Sequence, residues 1–419
     1  MTEIRKYLEN HKDEMIELLS ELVAIRSVQG AESEEFPFGE KPAEALNCML
    51  RRCAGYGFSV ENVENYVGTA DYGSEPLLGI LTHLDVVPEG TGWSGDPYAL
   101  RRTETRLFGR GTIDDKGPSV ASVFALRAVR ELKTPLRRGV RLIFGTNEEN
   151  GSADLAYYRN KRQLPPLVFT PDGEYPLING EKGMLRVYFS AELDEDICIN
   201  AGKVINAVPE ECVVSYRKKG ELVVYNGKSA HASTPEKGDN AITAFLADYS
   251  GDSRLLKSFQ QYFQHGDTSG SAIFGENSQD FTCVLSLLKT VENSLTGGID
   301  IRFPMNRTKA EVSGIICDVL KKIGFTIDKC EGSEPHYTDE NSDFVKSLLR
   351  VYERVTGDKG YCITIGGGTY VHEIEGGVAF GAQFPDEDGN MHGADEYITI
   401  ENLLKNAEIM AEAIIEICG

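Results

Sequence analysis

Apolar positions along this chain follow two rhythms, and the dominant rhythm switches twice. Met15, Leu18, Leu19, Leu22 and Val23 recur at the spacing of one helix face. That predicts an amphipathic helix from Ile4 to Ile25. A second helix is predicted from Pro42 to Cys53, with proline in its first turn, where a missing N–H costs nothing. Short apolar runs then alternate with helical patterns. "PLLGILTHLD", "RRGVRLIFGTNEE" and "PPLVFTPDGE" read as strands; "GPSVASVFALRAVREL" and "SADLAYYRN" read as helices. Strands alternating with helices predict an α/β layer with a mixed, largely parallel sheet.

The pattern changes after Gly183. "MLRVYFSAEL", "ECVVSYRKKG", "ELVVYNGKSAH", "FTCVLSLLKT" and "GGIDIRFPM" read as strands, with helices at "NAITAFLADY" and "SRLLKSFQQYF". "GDTSGSAIFGENSQD" reads as a loop. Thr308 and Glu311 stand at capping-box spacing before "VSGIICDVLKKIG", and Gly324 supplies the stop signal. From Asp339 the first rhythm returns: a helix at "DFVKSLLRVYERVTG", strands near "YCITI" and "VAFGAQFP", and a last helix at "NLLKNAEIMAEAIIEI". An α/β domain interrupted by an inserted α+β domain accounts for both switches. Its parts are residues 1–182, an insert at 183–334, and 335–419.

A chain of 419 residues supports two such domains. No apolar run is long enough to span a bilayer. The charged start "MTEIRKYLENHKDEM" lacks the apolar core of a secretory leader. The nine cysteines are scattered without a CxxC pair, which fits free thiols in a reducing cytoplasm. A net charge of −22 argues against nucleic acid and anionic membrane as partners. It also leaves carboxylates to spare for cations.

Those carboxylates gather at predicted strand ends, where open α/β sheets bind ligands. "THLD" ends one strand with His83 and Asp85. "GTIDDKG" puts Asp114 and Asp115 on a glycine turn before a helix. "GTNEEN" supplies Glu148 and Glu149, "TPDGE" supplies Asp172, and "DGNMHGADE" supplies His392. Singly, each has an ordinary reading as a helix cap or a solvated turn. Together they form the donor set of zinc, with manganese or cobalt as substitutes. Glu148 and Glu149 raise a question of their own. In an extended chain, neighbours face opposite sides, so two adjacent acids after a buried strand are expected to do two different things.

The motifs "THLDVVP", "GRGTIDDKG", "GTNEENG", "TPDGE", "NGKSAHASTPEKGDNAI", "DIRFP" and "MHGADE" occur in one order. In that order the chain resembles the aminoacylase, carboxypeptidase G and carnosinase family of two-metal peptidases. "FTPDGEYPLINGEKG" and "IGGGTY" are most similar to its PepV-type dipeptidases. The resemblance runs from about residue 15 to the C-terminus. It implies that His83 and Asp172 bind one divalent metal, Glu149 and His392 the other, and Asp114 both, across a cis Asp114–Asp115 peptide. Zinc is the first expectation for both ions. Asp85 would hold the His83 ring, and Glu148 would be the general base.

The same resemblance makes the insert a lid that grips substrate. It implies that His231 stabilises the oxyanion, that Asn206 helps bind substrate, and that the Arg302 fork takes a terminal carboxylate. Gly366, Gly367 and Gly368 would let backbone approach that end of the substrate. The stretch from Asn206 to His231 is short for a PepV-type lid, which leaves a monomer and a homodimer through the lid both open. The implied activity is dipeptide hydrolysis. The alternatives are an N-acyl amino acid deacylase and a non-catalytic peptide-binding relative; the presence of Glu148 argues against the last.

Overall fold

The computed structural model describes residues 2–193, 195–216 and 220–419. Residues 217–219, the end of one expected strand, lie outside them. The chain divides into two compact units. The first comprises Met1–Asn179, Thr338–Ile363 and Thr369–Gly419; the second comprises Gly180–Tyr337 and Thr364–Gly368. The segment 364–368, which the sequence reading left in the α/β domain, therefore belongs with the insert. Two contacts tie it there: Lys182 N donates to the Ile365 carbonyl at 2.9 Å, and Arg302 Nη1 to the Gly366 carbonyl at 2.9 Å.

The first unit is built on a mixed sheet. Its strand order is Ser59–Val63, Val67–Tyr72, Gly139–Gly145, Pro76–His83, Leu167–Thr170, Val378–Ala379 and Leu177–Glu181. The four strands from Gly139–Gly145 to Val378–Ala379 are parallel; the flanking pairs are antiparallel. The central strand Pro76–His83 is covered on both faces, which is why it reads as an unbroken apolar run. Helix Lys116–Glu131 is buried along almost all of its surface. It packs against the central strands and the long C-terminal helix Ile400–Cys418.

Two local expectations are corrected here. The predicted N-terminal helix is two helices, Glu3–Asn10 and Lys12–Val23. His11 interrupts them at φ −109°, ψ 11°. Its Nδ1 lies 2.8 Å from the Tyr7 carbonyl and its ring stacks on Tyr7, a local bond that competes with helix continuation. Residues Glu148–Asn150 form a 3₁₀ turn, not the extended end of a strand. Successive side chains there diverge by about 120°, as three residues per turn dictate. The two acids still point apart, but through a turn.

The second unit is a seven-stranded antiparallel sheet. Its order is Glu221–Asn226, Glu211–Tyr216, Ile197–Ala201, Thr282–Val291, Ser294–Phe303, Gly183–Glu192 and Thr326–Ser333. Gly183–Glu192 alternates buried and half-buried positions, as a sheet with one covered face requires. Leu185, Val187 and Phe189 share a core with helices Ala241–Asp248, Arg254–Tyr262 and Lys309–Ile323. The last helix carries both halves of the Thr308/Glu311 capping box and ends at left-handed Gly324, φ +118°. The expected loop 266–280 contains a short helix, Ser271–Phe274, and a 3₁₀ stretch, Gly275–Asp280.

Candidate metal centre

Parallel register brings three strand ends of the first unit together. His83 pairs with Gly145 across one side of its strand, and Ile80 with Phe169 across the other. Chain leaving these ends delivers His83 and Asp85, then Glu148 and Glu149, then Asp172 to one place. Asp114 arrives on the turn before helix Lys116–Glu131, through a cis Asp114–Asp115 peptide. His392 arrives on a loop in the left-handed region, φ +61°.

Asp114 stands at the middle. Its Oδ1 is 2.9 Å from His83 Nε2, and its Oδ2 is 2.7 Å from His392 Nε2. His83 Nε2 is 3.7 Å from Asp172 Oδ2; His392 Nε2 is 3.3 Å from Glu149 Oε2. The five side chains thus form two groups that share Asp114. Glu148 also reaches the first group: one ligand atom each from His83, Glu148 and Asp172 lie within 4.8 Å of one another.

These distances suit metal ions. Two donors about 2.05 Å from one tetrahedral zinc lie about 3.3 Å apart, and the four separations above scatter around that value. Within these two groups the buried atoms His83 Nε2 and Glu149 Oε1 also lack a hydrogen-bond partner among the described residues. The 2.9 Å approach of His83 Nε2 to Asp114 therefore lacks hydrogen-bond geometry, as expected of two atoms aimed at a common third point. Buried polar atoms without partners are costly, and a cation between them removes the cost.

The electrostatics agree. Burial, reinforced by Asp114, pushes the Asp172 carboxyl up to about 7. Burial and Asp172 push Glu148 well above the usual carboxylate range, and burial and Asp114 raise Glu149. Asp114 goes the other way: burial opposes its charge, but the imidazoles of His392 and His83 facing its two oxygens hold it far below the usual range. Burial pulls His392 down, yet Asp114 and Glu149 outweigh it and leave the imidazole at about 11. Acids and histidines here share protons in place of positive charge.

A second layer fixes the donors. His83 N donates to Asp115 Oδ2 at 3.0 Å. His83 Nδ1 lies 3.0 Å from the backbone carbonyl of Asp85 and 3.5 Å from its carboxylate. That carboxylate is engaged elsewhere: its two oxygens accept from Glu148 N and Glu149 N, each at 3.2 Å. Asp85 thus holds the turn that carries both acids as well as the imidazole. Buried Asp154 accepts from Thr146 N and Asn147 N at 2.6 and 3.0 Å. Asp115 was named from sequence only as one of the strand-end carboxylates, without this role, and Asp154 was not singled out, because an ordinary capping aspartate looks the same.

In the second unit the structure gathers Asn206, His231, Arg302 and Gly366. Ala232 N donates to the Asn206 carbonyl, and Gly366 passes so close to Ser233 that a Cβ would come within 2.9 Å of it. Ser233 N donates to His231 Nδ1 at 3.2 Å, with Ser233 Oγ at 2.6 Å. An accepting Nδ1 assigns the proton to Nε2. Arg302 is buried. Its Nε and Nη2 donate to Asp300 at 2.7 and 3.3 Å, and its Nη1 to Gly366. Of five N–H groups, one on each terminal nitrogen remains, so a carboxylate would be met end-on rather than along the Nε edge.

A hydrolase built around paired cations is the class this centre defines. The model of Peptidase family M20/M25/M40 matches residues 79–416, so the chain belongs to that family; it is a metallopeptidase. It is 32% identical to the Beta-Ala-Xaa dipeptidase of Lactobacillus delbrueckii subsp. lactis, over 99% of this chain and 98% of that relative. The 462 aligned positions exceed the 419 residues here, so that relative carries segments this chain lacks. Among solved structures it is similar to human carnosine dipeptidase 1, with a TM-score of 0.66, 17% identity, and 99% and 98% of the two chains covered. It is also similar to the di-peptidase Dug1p of Saccharomyces cerevisiae, with a TM-score of 0.65, 14% identity and the same coverage.

Proposed function

We propose that this protein is a dipeptidase using two divalent cations, zinc in the first instance, with manganese or cobalt as substitutes. His83 and Asp172 would hold one ion, Glu149 and His392 the other, and Asp114 both. The observation that carries this is the division of Asp114, with one oxygen facing each histidine. Cations bound there lower the pKa of water and polarise the scissile carbonyl. Glu148 is the base. Burial raises its proton affinity, which suits a group that takes a proton from water and passes it to the leaving amine. Asp85 keeps Glu148 and Glu149 apart by holding both backbone N–H groups.

The second unit supplies the grip. His231, with its proton on Nε2, is a neutral donor for the developing oxyanion. The two remaining N–H groups of Arg302 take the terminal carboxylate of the substrate, with Asn206 and the 366–368 glycines beside it. Arg302 and the lid together would limit substrate length. The test is turnover of a dipeptide panel against N-acetyl amino acids by the metal-loaded protein. Dipeptide hydrolysis is expected. Turnover of acyl amino acids alone would make it a deacylase, and binding without turnover a peptide-binding relative.

All nine cysteines are free thiols, which supports a reducing, cytoplasmic setting. No helix among the described residues is long and apolar enough to cross a membrane. A homodimer through the second unit is part of this proposal. Glu221–Asn226 is an edge strand with Leu222 64% and Val224 42% exposed, and an apolar edge of that kind invites pairing.

A further inference from the structure

His392 is an unlikely residue to be placed well. Its side chain is 52% exposed. Its loop holds Asn390, His392 and Asp395 at φ +52°, +61° and +53°. Each non-glycine residue in the left-handed region costs about 1–2 kcal/mol, so this loop does not settle into its shape unaided. Yet His392 Nε2 lies 2.7 Å from Asp114.

The hold comes from beneath. Arg110 is 1% exposed and forms a buried ion pair with fully buried Glu396. Arg110 Nη1 faces Glu396 Oε2. Arg110 Nη2 lies 3.2 Å from both the His392 and Gly393 carbonyls. It lies 3.5 and 3.4 Å from those of Pro88 and Glu89 on the neighbouring loop. Glu396 turns its other oxygen to the opposite ligand, accepting from Ile113 N at 3.0 Å and Asp114 N at 3.4 Å. One unbroken path therefore runs from the His392 carbonyl through Arg110 and Glu396 to the Asp114 N–H.

We infer that Arg110 and Glu396 are positioning residues for the metal centre. Arg110 fixes the loop of His392, which would hold one ion only, while Glu396 steadies the Asp114 backbone, which would serve both. His83 and Asp172 depend on strand ends and Asp115, and neither touches this pair. The inference rests on the two-cation reading above.

A buried ion pair can also be mere core, and such pairs are often replaceable by apolar side chains without loss of stability. That makes the test clean. In Arg110→Met with Glu396→Gln the charge stays balanced, and an amide oxygen remains for the Ile113 and Asp114 N–H groups. What goes is the grip of Arg110 on the His392 loop, with its longer contacts to the Pro88 and Glu89 carbonyls. Metal-free wild type and variant are titrated with zinc by calorimetry, and their melting is followed by circular dichroism.

The wild type is expected to bind two ions. The variant is expected to weaken one step by about 10- to 100-fold, keep the other, and melt as the metal-free wild type does. Arg110→Lys, which keeps the charge but cannot reach Glu396 and the carbonyls together, is expected to fall between them; it decides the matter if the double variant fails to fold. Two unchanged steps would overturn the inference. So would two steps weakened in parallel with a fallen melting temperature, the mark of a purely structural pair. A wild type that binds no zinc would refute the two-cation reading instead.

Discussion

Replacing Glu148 by glutamine separates the two adjacent acids most sharply. The amide has the shape of the carboxylate but no useful basicity. What positions this turn is the backbone: the Glu148 and Glu149 N–H groups bind Asp85, 3.2 Å each, and glutamine leaves both bonds in place. Glu149 Oε2, 3.3 Å from His392 Nε2, is likewise untouched. One buried negative charge disappears from a cluster in which burial already raises Glu148, Glu149 and Asp172, so stability is not expected to fall. Loss of a general base costs about 10²- to 10⁴-fold in rate, or ~3–5 kcal/mol of barrier at ~1.4 kcal/mol per decade. The assay is kcat on a dipeptide beside metal content by elemental analysis. The expected variant keeps two metals and loses kcat by that factor, whereas Glu149→Ala loses one metal. A Glu148→Gln protein that keeps wild-type kcat, or that loses a metal, would refute the division of roles.

Other outcomes follow from the same geometry. Arg302→Ala is expected to raise KM by about 10- to 100-fold, since a hydrogen bond to a charged group is worth ~1.5–3 kcal/mol, with a smaller change in kcat; steady-state kinetics check it. In the metal-free protein, Asp172 titrates at about 7, above its unfolded value, so the folded state binds the extra proton. The associated stability is present at low pH and lost as pH rises through 7. Between pH 6 and 8 that is on the order of 1 kcal/mol, and the metal-free protein is expected to melt higher at pH 6, with the order reversed once metal displaces the proton. Leu222→Lys with Val224→Lys is expected to convert a homodimer to a monomer in light scattering, while the metal content stays the same.

Much of this centre was legible in the chain because its donors sit at the ends of short apolar runs, beside glycine and proline. The structure brings His83, Asp114, Glu148, Glu149, Asp172 and His392 together. Local signals also placed helix Lys309–Ile323, whose cap is written within four residues. Strand Val67–Tyr72 was missed although it is largely buried, because Gly68, Thr69, Ala70 and Asp71 make no apolar run. Strand Thr326–Ser333 is a polar edge, paired on one side only. Arg110 and Glu396 lay inside quoted motifs but meet across 286 residues, a contact that no spacing encodes. The break at His11 and the turn at Glu148 depend on single side-chain and backbone bonds, which periodicity averages away. The grouping of 364–368 with the insert depends on Arg302, far away in sequence.

The central claim is that Asp114 divides two cations between its oxygens. Anomalous scattering at the zinc edge from crystals of the zinc-loaded protein tests it directly. The account predicts two peaks about 4 Å apart on either side of Asp114, one bonded to His83 and Asp172 and the other to Glu149 and His392, with Glu148 bonded to neither. A single peak, or a peak with Glu148 among its ligands, would contradict it.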